Sequence, residues 1–418
     1  MPGKRKPSRS VRERAQATET NGHATPGAPN ADTSSVGADA RNERPRMPIV
    51  GIGCSAGGLE AMQSFFSNVP PDTGAAFVVV THVRPGRDSM LPDLLAQVTR
   101  MRVVHAGDST LLEPNTVVVA RDSLLAVSKG VLVPAREDGA PLVTYHPIDH
   151  FFRSLADDQK EHAIGVILSG SGNDGSLGTR AIKAAGGMIM VQAPDSAKYT
   201  GMPDSAIATH LADYVLPPAD MPSALVEYCR GAYLQTLRRD KVELLPEATV
   251  HRILMRLHAH SGQDFTCYKR STISRRIQRR MTVHRIEDPQ AYLGFLRDNP
   301  HEMDALMEEL LISVTSFFRD PEAWDALAGI ITSQLVDDGS EGHPLRVWVP
   351  GCATGEEAYS CAMVLHEVFR SLERGYSLQI FATDLDERAI EVARVGLYPE
   401  GIAADVSPVR LKTFFTHE

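Results

Sequence analysis

No stretch of the 418 residues approaches the roughly twenty apolar residues that a membrane span requires, and no apolar h-region follows the basic start Met1-Pro2-Gly3-Lys4-Arg5-Lys6. That lack predicts a cytoplasmic protein without membrane insertion. Cys-x-x-Cys pairs are missing too: the five cysteines, Cys54, Cys229, Cys267, Cys352 and Cys361, are scattered and odd in number, which fits a reducing compartment and suggests no metal site. Positive charge is not in excess. The formal net charge of −9 argues against general nucleic-acid binding, although it leaves local basic patches open. Before residue 47 large apolar residues are scarce, so residues 1–46 cannot offset chain entropy by burial and read as a disordered tail. The remainder is long enough for two or three domains with their own cores.

The apolar run Met47-Pro48-Ile49-Val50-Gly51-Ile52 leads into Gly53-Cys54-Ser55-Ala56-Gly57-Gly58 and then an amphipathic stretch from Leu59: a strand, a glycine turn and a helix. A serine placed there is lifted out of the sheet at a helix N-terminus, with backbone N–H groups near to hold an oxyanion. Such turns also bind phosphates and dinucleotides, so on the turn alone both readings stand. His82 closes a second buried run, Ala75-Ala76-Phe77-Val78-Val79-Val80-Thr81, and Asp174 follows a third, His162 to Ser169, in the loop Gly170-Ser171-Gly172-Asn173-Asp174-Gly175. If the strands are parallel, all three residues reach one sheet edge, where ligands bind in open α/β sheets. Asn-Asp-Gly is equally an ordinary turn. Together, Ser55, His82 and Asp174 are the types needed for a serine activated by a general base, with an aspartate holding the imidazole tautomer. Cys54 is a rival thiol whose side chain is expected on the other side of the turn, where a buried cysteine is inert.

The chain order Ser, His, Asp differs from that of α/β-hydrolases. Through Ile52 to Gly58, Thr81-His82, Leu168 to Gly175 and Met202-Pro203-Asp204-Ser205-Ala206-Ile207-Ala208, in that order, residues 47–232 resemble the catalytic domain of bacterial chemotaxis protein-glutamate methylesterases, the CheB family. The resemblance implies a doubly wound parallel-sheet α/β domain, with Ser55 as nucleophile, His82 as general base, Asp174 as its partner and no cofactor for the esterase. Ser171 stands where family members usually carry methionine, in a segment whose backbone N–H serves the oxyanion; a backbone donor survives the side-chain change. Stand-alone members carry a phosphorylatable receiver ahead of this domain, which a tail of this length is too short to hold.

From Pro246 the texture turns helical, and residues 243–312 read as a small all-helical domain. Its unusual segment runs from Tyr268 to Met281: Arg275 and Arg279, and Arg276 and Arg280, fall at i and i+4, while Ile273, Ile277 and Met281 form an apolar stripe. The arginines read as a solvated face, as a nucleic-acid grip disfavoured by the chain's acidity, or as a grip on an acidic protein helix.

A third region, 313–418, holds Leu345-Arg346-Val347-Trp348-Val349-Pro350, the loop Gly351-Cys352-Ala353-Thr354-Gly355-Glu356-Glu357 and the strand Leu378-Gln379-Ile380-Phe381-Ala382-Thr383 ending at Asp384. This is half of a Rossmann-like site, with an acid placed for ribose hydroxyls. The loop lacks Gly-x-Gly-x-x-Gly, and its two glutamates repel phosphate but suit a cationic sulfonium. Residues 243–418 resemble chemotaxis receptor-glutamate methyltransferases, the CheR family, through Tyr268-Lys269, Arg275-Arg276, Thr315-x-Phe317-Phe318-Arg319, Thr354 to Ser360 and Ala382-Thr383-Asp384. By that resemblance Thr315, Arg319, Glu357 and Asp384 contact S-adenosyl-L-methionine, and the arginine helix docks the substrate protein. Ser313 stands where the family has an asparagine ligand and is left out of the set.

The chain stops after two strands of a cofactor domain that continues further in the family, so a partial SAM-binding domain is expected, with an intact esterase, an impaired transferase and open sheet edges. The leading expectation is a chemotaxis-type signalling enzyme. It hydrolyses glutamate methyl esters on a methyl-accepting chemoreceptor-like protein and carries the opposing transferase region. The alternatives are a signalling scaffold that binds such partners without turnover and an unrelated hydrolase of small esters.

Overall fold

Strands buried on both faces need no polar alternation, and the early part of the chain supplies such apolar runs. The computed structural model describes residues 47–82, 90–120, 124–135, 146–231, 233–234, 244–312, 315–337, 344–372 and 377–417. The predicted tail at 1–46 and Ser313 lie outside the described residues. The first ten strands are β1 (Ile49–Cys54), β2 (Ala76–Thr81), β3 (Arg102–His105), β4 (Thr110–Leu111), β5 (Thr116–Val119), β6 (Leu125–Ser128), β7 (Val131–Pro134), β8 (Ala163–Ile167), β9 (Met188–Gln192) and β10 (Tyr214–Leu216). Seven of them form a parallel sheet in the order β10-β9-β8-β1-β2-β5-β3.

Helices α1 (Gly58–Asn68), α2 (Leu91–Ala96), α3 (Pro147–Gln159), α4 (Ser176–Ala184), α5 (Gly201–Ile207) and α6 (Met221–Arg230) cover that sheet. Phe65, Phe66, Leu95 and Leu225 fill one face, from α1, α2 and α6; Phe151, Phe152, Ile182 and Met202 fill the other, from α3, α4 and α5. The result is the doubly wound α/β fold. β1 lies between β8 and β2, where the winding reverses, so the loops after these three strands open onto the crevice at the switch point.

The antiparallel sheet β4-β7-β6 is an addition that no motif in the sequence foretold. Lys129 and Gly130, at φ 52° and 72°, make its two-residue hairpin turn. Asp158 of α3 accepts both their N–H groups, at 2.5 and 2.9 Å.

Four helices follow: α7 (Glu247–Ser261), α8 (Arg270–Val283), α9 (Pro289–Asp298) and α10 (Pro300–Leu311). They enclose Ile253, Leu257, Ile273, Ile277, Met281, Tyr292 and Leu306. Asp288 caps α9 by accepting the N–H groups of Gln290 and Ala291. The last region comprises α11 (Pro321–Asp337), β11 (Leu345–Pro350), α12 (Glu356–Ser371), β12 (Leu378–Thr383), α13 (Glu387–Val395) and α14 (Pro408–Phe414), with β11 and β12 paired in parallel. Trp348 and Phe381, register partners on these strands, are 67% and 54% exposed, so this small sheet keeps an apolar face open. Among the described residues no helix is long and apolar enough to cross a membrane.

The structure corrects the reading of the arginine helix α8 as a face for a partner. Its apolar stripe packs inward as expected, but the arginines are spent inside this chain. Arg279 is fully buried, bonding Asp213 at 2.5 Å, Glu309 at 2.7 Å and the carbonyl of Gly187 at 2.6 Å. Arg276 bonds Glu309 and the carbonyls of Lys183 and Ala184 at the end of α4. Arg280 forks onto Glu302, and Arg275 meets Glu161. Helix C-termini leave carbonyls without partners, and forked guanidinium groups suit them as well as carboxylates. The helix thereby caps α4 of the parallel-sheet domain, where sequence spacing alone had left its face free. Residues Pro45–Glu418 form one compact unit.

Candidate active site

The glycine turn after β1 is held from two sides. Gly57 takes φ 73°, which favours glycine, and starts α1 directly after the turn. Ser55 N–H donates to the Ser169 carbonyl at 3.0 Å, and the Ser169 hydroxyl reaches the Ala56 carbonyl at 3.0 Å. The loop after β8 is therefore stitched to the serine turn. Ser55 is half-buried, and its hydroxyl makes no hydrogen bond among the described residues. The N–H groups of Ala56 and Gly57 likewise make none, which leaves backbone donors next to that hydroxyl in the turn.

His82 stands directly after β2, and its Nε2 lies 3.0 Å from Asp174 Oδ2. Asp174 is buried, and its carboxylate sits on the N-terminal turn of α3, accepting Ile148 N–H at 3.0 Å and Asp149 N–H at 2.8 Å. With one His82 nitrogen bound to the acid, the other is left to accept a proton. The three residues singled out from the sequence thus stand on adjoining strand ends, His82 and Asp174 in direct contact. No bond joins Ser55 to His82; such contacts tighten in the substrate complex.

Cys54 points the other way. It is fully buried, with its Sγ 3.6 Å from Met62 Sδ, and burial pushes its thiol up to about 12. The fourth motif serves the architecture of the site, since Met202 N–H donates to the Gly170 carbonyl at 2.9 Å and α5 thereby closes the loop that leads to Asp174. Sequence reasoning missed Gln192, whose side chain accepts Ser169 N–H at 2.8 Å and donates to the Ser196 carbonyl. It also missed Asp149, beside Asp174. A glutamine ending an apolar strand was the only signal for the first, and an acid after Pro147 in a helix's first turn the only one for the second.

In the third region, a cleft of about 610 Å³ opens between the domains. Thr315, Arg319, Thr354 and Glu356 line it from one side and Arg153, Arg180 and His210 from the other. Glu357 and Asp384 are not among its lining residues. Asp384 instead accepts Ala353 N–H at 2.7 Å and Asp386 N–H at 2.9 Å, which fixes the glycine loop. Thr315 and Arg319 are brought close to α12 because Phe318 N–H donates to the Ser360 hydroxyl at 3.0 Å. The cleft has the volume of a small-molecule site, and the Thr354 to Glu357 loop offers carboxylates where a phosphate ligand would need donors. The loop carboxylates suit a cationic sulfonium, whereas the cleft beside them also carries Arg153, Lys160, Arg180, Arg319 and Arg388.

Residues 50–225 match the family described as CheB methylesterase, residues 248–311 the all-alpha domain of CheR methyltransferase and residues 313–418 its SAM-binding domain. The chain is 36% identical over 347 residues to an uncharacterized 104.1 kDa protein of Rhodobacter capsulatus, covering 78% of this chain and 36% of that protein. It is 31% identical over 216 residues to a protein-glutamate methylesterase/protein-glutamine glutaminase of Moorella thermoacetica, covering 50% and 51% of the two chains. A crystal structure of the Thermotoga maritima CheB methylesterase catalytic domain aligns at 30% identity and TM-score 0.40, over 43% of this chain and 98% of that one. The chain spans about a third to about a half of the curated relatives it matches.

Proposed function

The chain belongs to the CheB methylesterases over residues 50–225 and continues as the two domains of a CheR methyltransferase, and on that premise we propose that it hydrolyses γ-methyl esters of glutamate side chains on a chemoreceptor-like protein. The observation that carries this reading is the 3.0 Å contact of His82 with an Asp174 seated on the N-terminus of α3, beside the half-buried turn of Ser55. Ser55 Oγ attacks the ester carbonyl while His82 takes its proton, and Asp174 keeps the imidazole oriented and offsets its charge. The tetrahedral oxyanion faces the N–H groups of Ala56, Gly57 and Ser171. His82 returns the proton to the leaving methoxide, so methanol departs; water, deprotonated by the same imidazole, then releases the glutamate carboxylate and regenerates Ser55.

In the transferase region, Thr315, Arg319, Glu357 and Asp384 would hold S-adenosyl-L-methionine, which supplies an electrophilic methyl group when bound. These residues would orient and enclose it, with Glu357 offsetting the positive charge, while Asp384 keeps the glycine loop in shape through the Ala353 and Asp386 N–H groups. The domains divide at 47–232, 243–312 and 313–418. Both halves then act on the same side chain in opposite directions.

Ser55→Ala tests the esterase. Release of methanol from a methylated receptor should fall by at least about 10³-fold while the circular dichroism spectrum is unchanged. A wild type inert on methylated receptors sinks the enzyme reading and favours a scaffold; hydrolysis of small free esters alone points to a different hydrolase.

A further inference from the structure

Two buried acids at the junction of α3 and α4 exchange helix N-termini. Asp174, just ahead of α4, accepts the N–H groups of Ile148 and Asp149 in the first turn of α3. Asp149, in that turn, accepts Gly178 N–H in the first turn of α4 at 2.6 Å. The helices are pressed together at this point: a Cβ on Gly178 would lie 2.4 Å from Phe152 Cβ. Gly175, between the acid and α4, takes φ 97°, so the segment carrying Asp174 is a glycine-dependent turn whose exit is fixed by the Asp149 cap.

We propose that Asp149 is a positioning residue of the esterase, capping α4 with its side chain while its own N–H holds Asp174 in line with His82. This rests on the reading of Ser55, His82 and Asp174 as the catalytic set. A cap needed only for stability would not require a second acid. An amide accepts an N–H equally well and avoids placing carboxylates side by side, yet ligand atoms of Asp149, Asp174 and His146 lie within 4.8 Å of one another.

The surroundings explain what the charge does. Asp174 and His146 face Asp149 from the adjoining loops, Arg153 faces it from α3, and Asp405 grips Arg153 in a fork at 2.8 and 2.9 Å. The α-carbon of Gly401 closes the remaining side, where an added Cβ would sit 3.2 Å from Asp149 Oδ2. Burial first, and Asp174 second, push the Asp149 carboxyl up to about 7, while Gly178 N–H and Arg153 pull it down. The acid therefore changes charge within the working range of an imidazole base and alters the field at Asp174 as it does so. A raised carboxyl opposes folding as pH rises: its contribution is whole below the unfolded value of about 4 and is lost toward about 7.

The test compares wild type, Asp149→Ala and Asp149→Asn in methanol release and in melting between about pH 6 and 8. Alanine should lower kcat about ten- to a hundredfold and leave KM within about twofold. Asparagine keeps the cap and should recover kcat to within about threefold at low pH, melt no lower than wild type at high pH, and lose the Asp149 step near pH 7, leaving in the kcat profile only the inflection of the imidazole base. An asparagine profile matching wild type, or an alanine variant with unchanged kcat in its folded fraction, overturns the proposal. If alanine does not fold, the asparagine comparison decides. If wild type itself does not turn over, the functional reading has failed separately, and carbon-13 NMR titration of the aspartate carboxyls still decides. Wild type should show an aspartate carboxyl inflecting near pH 7 that Asp149→Asn lacks, and its absence from wild type overturns the proposal.

Discussion

A thiol one position before the proposed nucleophile competes with it only if it can ionise and be reached. Cys54 does neither, because it is fully buried and its thiol is pushed up to about 12. Cys54→Ala should therefore keep kcat/KM within about threefold of wild type. Iodoacetamide should label the exposed Cys267 of the native protein without stopping turnover, and stoichiometric labelling of Cys54 with loss of activity would refute this. The placement of Ser55, His82 and Asp174 at one sheet edge was legible in the sequence because each follows an apolar run, and the length and bounding glycines of such runs reveal strand ends. Asp149 was not legible. An acid after Pro147 reads as part of its own helix's first turn, and nothing local says that its side chain caps a different helix.

At the scale of an element, the arginine helix α8 shows how far spacing carries. The i, i+4 pattern identifies which residues share a face and says nothing of what packs there. Asp213 of the parallel-sheet domain and Glu302 and Glu309 of α10 converge on Arg279 and Arg280, together with carbonyls at the end of α4. Burial alone would raise the Asp213 carboxyl, but Arg279 and Lys183 outweigh it and hold it low. Arg279→Met strips the guanidinium and leaves Asp213 and Glu309 facing each other with Lys183 and Arg276, which should cost about 3–5 kcal/mol in urea unfolding. Arg279→Lys should not restore it, because a point charge cannot bond Asp213, Glu309 and the Gly187 carbonyl at once. A loss below about 1 kcal/mol for Arg279→Met would show that the helix is held by its apolar stripe alone. The central parallel strands β1, β2 and β8, by contrast, were legible, since burial on both faces writes itself as uninterrupted apolar runs, whereas the partly exposed edge strands β3 and β10 were not.

At the scale of the molecule, the parallel-sheet domain and the regions after it are docked along α3 and α4. Arg276 and Arg279 hold the C-terminal end of α4; Arg153 and Asp405 join α3 to the turn after α13; Tyr214 hydroxyl donates to the Val283 carbonyl at 2.7 Å. Sequence reasoning separated these domains by texture and so described independent bodies. The ion pairs that join them cross between domains, where no sequence period extends. Across this interface Asp213 and Glu309 are both held below the usual carboxylate range: burial opposes this, and Arg279 and Lys183 overcome it. Depressed carboxyls contribute stability above their unfolded values, about 4, and lose it as pH falls through the folded values. Protonation therefore releases the interdomain pairs in acid, where the hydrocarbon cores of the separate domains are not directly affected. Scanning calorimetry should show the domains melting in one transition near neutrality and in separate transitions only well below about pH 4, as pH falls toward the depressed folded values. Arg279→Met should separate them already at neutral pH, because it weakens the same contact without acid. Two well-resolved transitions in the wild type at neutral pH would mean that the buried ion pairs do not couple the halves.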